Sequence, residues 1–153
     1  MVDEKNVVYR SAYIDSPNTP RFAFGHGMSY TDFAYSALRV SSKSMAPGGN
    51  ITLSFTLANT GKRAGEEVVQ LYLRDLVATT VRPIKELKGF QKIRLEPGEQ
   101  RTVSFKIDEA MLSYFNRKLE WKAEPGEFKL MVGGASDAVR LETIIKLDGE
   151  PVP

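Results

Sequence analysis

Apolar and hydroxyl-bearing side chains alternate strictly through the stretch Ile51-Thr52-Leu53-Ser54-Phe55-Thr56-Leu57. A period of two residues places all the apolar side chains on one face, which is typical of a half-buried β-strand. The turn-forming sequence Pro47-Gly48-Gly49-Asn50 comes before it, and Asn59-Thr60-Gly61 comes after it. The stretch therefore predicts one strand of a sheet, with a turn at each end.

The same period recurs on both sides of this stretch. It is found, with turn-forming residues between the segments, at residues 69–73, 103–107, 128–132 and 139–147. A further strand over residues 87–95 breaks the alternation once, and a bulge near Gly89 would explain the break. Between the strands, Asp108 can cap a helix of about one turn. Residues 114–121 suit a small hairpin around Arg117-Lys118.

Seven or eight strands without long intervening helices argue against a parallel βαβ sheet. The pattern predicts an all-β fold, namely an antiparallel β-sandwich of the immunoglobulin-like or fibronectin type III-like kind. The sequence lacks the cysteines that an antibody-type domain would carry. We expect the sandwich to span residues 35–148 and a short tail to follow at residues 149–153.

The chain has the composition of one soluble domain. Its 153 residues suit one domain with one core, and its net charge of +2 comes from 21 basic and 19 acidic residues that are interspersed. This charge pattern predicts neither a nucleic acid nor a membrane as partner. The absence of cysteine excludes a disulfide framework, a thiolate metal site and a cysteine nucleophile. No apolar run is long enough to span a bilayer, and residues 1–5 do not begin a signal peptide.

The first 34 residues differ from the remainder. Pro17 and Pro20 keep the backbone extended, and Gly25 and Gly27 flank the single histidine, His26. Five aromatic residues lie close together in this part of the chain: Phe22, Phe24, Tyr30, Phe33 and Tyr35. So many aromatic side chains do not suit a solvated linker. We therefore predict that residues 1–34 form an extended arm that folds back along the sandwich from about Phe22.

Residues 1–20 of this arm carry a separate expectation. We expect them to be less ordered than the remainder or to pair with a neighbouring molecule. The arm therefore offers a route to self-association of the chain.

Residues 76–86 form an unusually long connection that is rich in apolar and β-branched side chains. Ordered loops of this length are more often functional than ordinary connectors. Two interpretations fit the sequence. The one that we favour is a crossover between the two sheets that covers an open sheet edge. The other is a loop that contacts a partner domain.

No set of side chains in the sequence forms a recognisable catalytic or metal-binding motif. A serine–histidine–acid relay would have to use His26, which has no Gly-x-Ser-x-Gly turn beside it. A single histidine without any cysteine disfavours a zinc site, and Gly25-His26-Gly27 lacks the remainder of a dinucleotide fingerprint. The acidic residues fall mostly in turns and at strand ends. We therefore expect no catalytic residue, no cofactor and no metal in this chain.

Three aromatic residues, Tyr114, Phe115 and Trp121, flank the predicted small hairpin. Tyr114 and Trp121 would be the residues of a sugar-stacking platform of the kind found in carbohydrate-binding modules. Leu119 and Trp121 share one face of a short strand, so we favour burial of Trp121 against the sandwich over stacking on a sugar.

Three segments, taken in order, carry a resemblance to a known family. The first runs through residues 9–20 into Phe22-Ala23-Phe24-Gly25-His26-Gly27-Met28-Ser29-Tyr30-Thr31. The second is residues 59–65 with residues 68–75, and the third is residues 82–92 with residues 95–99. Together they resemble family 3 glycoside hydrolases, most closely the bacterial β-glucosidase and β-xylosidase branch. Ala23, His26 and Met28 depart from the family's usual Phe-Pro-Phe-Gly-Tyr-Gly-Leu-Ser-Tyr-Thr, all at packing positions.

The resemblance implies the C-terminal fibronectin type III-like domain of such an enzyme. The family's nucleophilic aspartate and acid/base glutamate lie in two other domains, neither of which is present in this sequence. Met1 would then stand in place of several hundred residues of a parent that is periplasmic or secreted. The parent's catalytic domains would be the partners of this chain. The candidate contact residues are Phe22, Phe24, His26, Tyr30, Phe33, Arg82 and Pro83.

Three hypotheses about function follow. The first is a non-catalytic accessory domain that braces or positions the catalytic domains of a β-glucosidase-like enzyme. The second is an autonomous polysaccharide- or protein-binding module. The third is a small hydrolase in its own right, for which we expect no activity. A buried Trp121 would favour the first hypothesis, and an exposed aromatic strip would favour the second.

Overall fold

A computed structural model describes residues 19–149 of the chain. Within this range there are ten strands and one short helix. Their bounds are β1 (Phe33–Val40), β2 (Ser44–Met45), β3 (Asn50–Asn59), β4 (Gly65–Asp75), β5 (Glu86–Leu95), β6 (Gln100–Asp108), α1 (Glu109–Leu112), β7 (Tyr114–Phe115), β8 (Trp121–Lys122), β9 (Gly126–Gly133) and β10 (Val139–Leu147).

The strands form two packed sheets and a small hairpin. One sheet has the order β1-β3-β6, the other has the order β2-β10-β9-β4-β5, and β7 pairs with β8. The seven long strands confirm the predicted fibronectin type III-like sandwich. The total of ten exceeds the predicted seven or eight. The strands β7 and β8 are the predicted small hairpin, whereas β2, with two residues, has no period to detect. The predicted antiparallel arrangement also has one exception, since β2 pairs parallel to β10.

The core lies between the two sheets. The alternating stretch forms β3 as predicted, and its four apolar side chains at positions 51, 53, 55 and 57 are buried. They pack against the inward residues of β4 and of β9, at positions 69, 71 and 73 and at positions 128, 130 and 132. Burial of each such large side chain stabilises the fold by about 1.5–3 kcal/mol. Packing of the alternating faces therefore determines the sandwich.

Local predictions around the strands are confirmed as well. Leu71 pairs with Gly89 whereas Tyr72 pairs with Leu87, so Lys88 is the extra residue of a bulge beside Gly89. The helix α1 is one turn long, and the side chain of the predicted residue 108 caps it. The predicted hairpin is present as β7 and β8.

The long connection over residues 76–85 joins β4 and β5, which are adjacent antiparallel strands of the same sheet. It is therefore not a crossover between sheets, and the interpretation that we favoured from the sequence is wrong. Periodicity identifies strands without showing which of them pair, and this is why the prediction failed.

The first strand begins at Phe33, two residues before the predicted start of the sandwich at residue 35. The division of the chain into an arm, a sandwich and a tail otherwise stays a prediction. Residues 1–18 and 150–153, which include most of the segment expected to be less ordered and most of the tail, lie outside the described residues. No helix among the described residues is long and apolar enough to cross a membrane.

Candidate domain-contact surface

Residues 19–32, the described part of the arm that precedes β1, lie across the outer face of β4. The side-chain amide of Gln70 donates a hydrogen bond to the carbonyl oxygen of Gly25 at 3.1 Å. The backbone N–H of Ser136 donates to the carbonyl oxygen of Phe24 at 2.9 Å. The hydroxyl of Tyr72 donates to the Gln70 side chain, and both of these outward-facing side chains are buried. These contacts confirm that the arm folds back along the sandwich from about residue 22.

Gly25 allows this close approach. Its φ of +79° lies in the left-handed region, and a Cβ at this position would collide with the side-chain amide of Gln70. Gly27, two residues further on, has neither constraint, because a Cβ there would meet no atom within 4 Å. The two glycines of the Gly25-His26-Gly27 motif therefore have different roles.

We expect Gly25→Ala to lower the free energy of unfolding by about 2 kcal/mol, since alanine is disfavoured at this φ and its methyl group would displace Gln70. Gly27→Ala is the matched control and should change stability by less than about 0.5 kcal/mol. Urea unfolding of both variants provides the measurement. Equal stability of the two variants would show that the arm is not held at Gly25.

A second anchor holds the arm at Thr31. The hydroxyl of Thr31 donates to Asn59 Oδ1 at 2.7 Å. A Cβ on Gly61 or on Gly65 would collide with the Thr31 side chain, so these two glycines make room for it. The backbone N–H of residue 60 donates to the carbonyl oxygen of Asp32 at 2.8 Å. The first and second segments of the family resemblance thus meet in space. The turn pattern and the resemblance at residues 59–61 did not indicate that these residues hold the arm.

Between its two anchors and just before them, the arm turns its large side chains to solvent. Phe22 is 63%, Phe24 66% and Tyr30 92% exposed. The ring of Phe22 packs on the ring of His26, with centroids 5.0 Å apart. Phe33, by contrast, is half-buried and packs against the core. His26 is exposed as well, so the structure presents four of the predicted contact residues outward, and their contact with a partner stays a prediction.

A groove of about 750 Å³ lies between the arm and the sandwich. Phe24 and Met28 line it from the arm, and Val68 and Phe90 line it from the sheet. Its carboxylates come from residues 32, 66, 67 and 137. The hydroxyl of Tyr35 donates to the carboxylate of residue 67 at 2.7 Å. Burial, with this hydrogen bond, raises the pKa of Tyr35 above its usual range, so the phenol stays protonated.

Arg82 holds the long loop from inside. Its guanidinium lies 2.8 Å from Asp75 Oδ2 and 2.7 Å from Glu86 Oε1, and it covers the ring of Tyr114 at 4.3 Å. The Arg82 side chain is only 6% exposed. Arg82 therefore secures the loop within the chain, and its contact with a partner stays a prediction. Pro83, the neighbouring candidate, is exposed, and its contact role stays a prediction.

Two glutamates beside the loop carry charges that favour the folded state. Burial raises the pKa of Glu86, but hydrogen bonds from Lys88 and Arg82 outweigh burial and hold that pKa below its usual range. Burial also raises the pKa of Glu124, but hydrogen bonds from Tyr114 and Thr79 have the larger effect. The pKa of Glu124 is therefore below its usual range. Both carboxylates are therefore charged in the folded protein at neutral pH.

A lowered folded-state pKa stabilises the folded form above the unfolded pKa, and this contribution is lost as the pH falls through the folded pKa. We therefore expect the urea midpoint to fall as the pH drops below about 4.5, the ordinary value for glutamate. In Glu124→Gln this decrease should be smaller. An unchanged pH dependence in Glu124→Gln would show that Glu124 does not contribute to acid sensitivity.

The small hairpin departs from one prediction. Tyr114 is buried beneath Arg82, so its ring is not presented to solvent. Trp121 is 57% exposed, so the prediction of its burial is wrong. The register explains both results, because Phe115 lies opposite Trp121 in the antiparallel pair and opposite residues share a face. Tyr114 occupies the inward face, and the rings of Phe115 and Trp121 meet edge to face at 5.0 Å on the outward one.

Comparison with known proteins agrees with this architecture. Residues 67–136 match the fibronectin type III-like domain family. The chain is 46% identical over 137 residues to the periplasmic β-glucosidase of Salmonella typhimurium, a match that covers 90% of this chain and 18% of that protein. It is 42% identical over 135 residues to thermostable β-glucosidase B of Acetivibrio thermocellus, covering 84% of this chain and 18% of that protein. The crystal structure of a Listeria innocua β-glucosidase superimposes with a TM-score of 0.82 at 37% identity, covering 97% of this chain and 20% of that one.

The fold and these matches define a fibronectin type III-like domain. Over most of its length, the chain is similar to the corresponding part of family 3 β-glucosidases and β-xylosidases. It spans about a fifth of the length of the relatives that it matches. Among residues 19–149, no group of three or more histidine, aspartate or glutamate side chains is arranged to hold a metal ion.

Proposed function

We propose that this chain is a non-catalytic accessory domain, the C-terminal domain of a β-glucosidase-like glycoside hydrolase, and that it braces or positions the catalytic domains. The arm carries this proposal. Its backbone is held to the sandwich at Gly25 and at Thr31, whereas Phe22, Phe24 and Tyr30 face solvent. A fixed backbone with exposed aromatic side chains is what a contact with a neighbouring domain requires.

The energetics of this arrangement favour docking. Each large aromatic side chain gains about 1.5–3 kcal/mol when it passes from exposure to full burial. The two anchors already fix the backbone of the arm, so docking does not have to order it again. Three exposed rings on a fixed segment can therefore support a stable contact. The catalytic aspartate and glutamate are expected in the neighbouring domains, outside this sequence.

The alternative function, an autonomous polysaccharide- or protein-binding module, gains support from the exposed side chains of Phe115 and Trp121. Their rings are inclined at 64° to one another, so they do not form one flat platform for a sugar chain. The accessory role therefore remains the better supported of the two. A periplasmic or secreted parent is proposed with it, since the Salmonella typhimurium relative is named a periplasmic β-glucosidase. Self-association through the arm stays a prediction.

A hybrid enzyme tests the accessory role. In this hybrid, the present chain replaces the matching segment of the Salmonella typhimurium periplasmic β-glucosidase. The double variant Phe24→Ser/Tyr30→Ser should inactivate several-fold faster on heating than the unmodified hybrid, because two docking side chains are lost. Ile144→Ser, a change at an exposed position on β10, is the control and should behave like the unmodified hybrid. Equal inactivation rates for all three proteins would refute bracing through the arm.

A further inference from the structure

In the loop over residues 76–85, the usual burial of apolar side chains and exposure of charged ones is reversed. Its arginine, Arg82, is buried, whereas Val77, Val81 and Ile84 are exposed, Val81 completely. Charged residues are rarely buried in soluble proteins. Exposed apolar side chains that form a contiguous patch mark surfaces that contact another molecule. Hydrogen bonds and ion pairs hold the loop in this state, so its aliphatic side chains cannot turn inward without breaking them.

The hairpin next to this loop shows a second unusual choice of residue. Leu119 has a φ of +61° and is 81% exposed. A bulky residue is disfavoured in the left-handed region, where glycine or asparagine is the usual choice. The side chain of Asn116 shapes the turn, since its Oδ1 accepts hydrogen bonds from the N–H groups of Lys118 and Glu120 at 2.9 and 3.0 Å. The turn itself therefore does not require leucine, but a contact of the leucine side chain would account for it.

The loop and the hairpin are packed against each other. Thr79 donates to Glu124 at 2.8 Å and hydrogen-bonds Tyr114 at 3.3 Å, and Arg82 packs over the ring of Tyr114. These contacts join the two elements from beneath. The apolar side chains that they present outward are Val77, Val81, Ile84, Phe115, Leu119 and Trp121. We refer to these six residues as the loop–hairpin surface.

The chemistry of this surface suits a protein more than a sugar. Half of its side chains are branched aliphatic groups on the loop, and its two aromatic rings are not coplanar. Arg117 and Lys118, at the tip of the hairpin, form no ion pair with any of residues 19–149. Charge complementarity therefore requires carboxylates at the rim of the partner.

The same surface is connected to the arm. The ammonium group of Lys85, in the loop, donates to the carbonyl oxygen of Ser136. The N–H of Ser136 holds the carbonyl oxygen of Phe24 in the arm. A partner domain that covers the exposed side chains of the arm is therefore also close to the loop.

We propose that the loop–hairpin surface is a second docking surface, which packs on an apolar protein surface with carboxylates at its rim. The apolar surface of the partner belongs to the catalytic part of the polypeptide, the part from which the arm leads. The inference rests on the proposed accessory function and adds a contact that does not involve the arm. The chain would then be held at two separate places, which restricts rotation about either one.

Val81→Ser in the hybrid enzyme tests this contact. Val81 is fully exposed in the isolated chain, so the substitution should leave the melting temperature of the isolated chain unchanged. In the hybrid it should speed heat inactivation several-fold, whereas Ile144→Ser should not. If Val81→Ser has no effect while Phe24→Ser/Tyr30→Ser speeds inactivation, the second surface is refuted and the accessory role stands. If neither has an effect, or if the unmodified hybrid has no activity, both proposals fail.

Leu119→Gly gives a readout that a purely structural role would not produce. Glycine removes the strain at this φ, so the isolated chain should melt at a higher temperature. The hybrid should nevertheless inactivate faster, because the docking side chain is lost. Opposite changes in the two proteins support the proposal, and a parallel gain in stability in both would overturn it.

The fluorescence of Trp121, the only tryptophan of the chain, shows whether a sugar or a second copy of the chain binds at the loop–hairpin surface. We expect its fluorescence in the isolated chain to stay unchanged when cello-oligosaccharides are added and when the protein concentration is raised. A saturable change with the sugar would overturn the proposal in favour of a carbohydrate site. A concentration-dependent shift that sedimentation assigns to a dimer would overturn it in favour of a second copy of the chain.

Discussion

Asn59→Ala should lower the free energy of unfolding by about 3 kcal/mol, because it leaves several buried polar groups without partners. Asn59 is buried, and its Nδ2 donates to the carbonyl oxygens of Arg63 and Leu95 at 2.7 and 3.1 Å. Its Oδ1 accepts hydrogen bonds from the Thr31 hydroxyl and from the N–H of Gly61. One side chain thus joins the arm, a turn and the end of β5. Chemical unfolding in urea measures the loss.

Asn50→Ala is the matched control, since Asn50 is exposed at the start of the same strand and should change stability by less than about 0.5 kcal/mol. Thr31→Val measures the contribution of the arm separately from that of the turn, because it removes only the hydroxyl that donates a hydrogen bond to Asn59 Oδ1. We expect Thr31→Val to cost about 1 kcal/mol. If Asn59→Ala were no more destabilising than Asn50→Ala, the claim that Asn59 anchors the arm through Thr31 would be refuted.

Arg82→Met should lower the free energy of unfolding by about 3 kcal/mol, because it leaves two carboxylates beside each other without their shared cation. The side chain of Asp75 is 2% exposed and that of Glu86 is 25% exposed. The loop over residues 76–85 should then open, and its amide protons should exchange faster with deuterium. Hydrogen exchange with mass spectrometry therefore measures the local effect, and urea unfolding measures the global one.

Lys88→Met is the control for this prediction. Lys88 also pairs with Glu86, at 2.8 Å, but its loss leaves the pair of Arg82 with Asp75 intact. We expect a cost below about 1 kcal/mol and no change in the exchange of the loop. Adding Asp75→Asn to Arg82→Met should restore part of the lost stability, because the unpaired buried charge is then removed. Without such a partial recovery, the ion pair does not account for the position of the loop.

Periodicity in the sequence was enough to predict the sandwich. The four alternating apolar residues of β3 are all in the core, and the single break of alternation in β5 marks the bulge at Lys88. These features depend on contacts within one strand or between a strand and the core. Periodicity did not reveal the two-residue strand β2, which is defined only by its pairing with β10. The equally short β7 and β8 were predicted from the residues that flank Arg117-Lys118 and not from a period.

The anchors of the arm depend on residues that are far apart in sequence. Thr31 and Asn59 are 28 positions apart, and Gly25 and Gln70 are 45 apart. Nothing in either segment alone indicates that they meet. The family resemblance contained both segments, and their joint occurrence was the one signal of a shared role. The motifs were therefore predictable from the sequence, whereas the hydrogen bonds that join them were not.

The hairpin shows a different limit. The sequence predicts two short strands around Arg117-Lys118, and the structure contains them. The sequence does not indicate which face of so small a hairpin packs inward. Arg82, from a distant loop, covers Tyr114 and so fixes that face as the buried one, which leaves Trp121 exposed.

Bracing of a catalytic part is tested most directly by titrating the isolated chain into the Salmonella typhimurium β-glucosidase from which the matching segment has been removed. β-Glucosidase activity and thermal stability are followed in the same titration. The accessory role predicts saturable binding that raises activity or stability, and weaker binding by Phe24→Ser/Tyr30→Ser. Absence of binding, with activity and stability unchanged at every concentration of the chain, would contradict it.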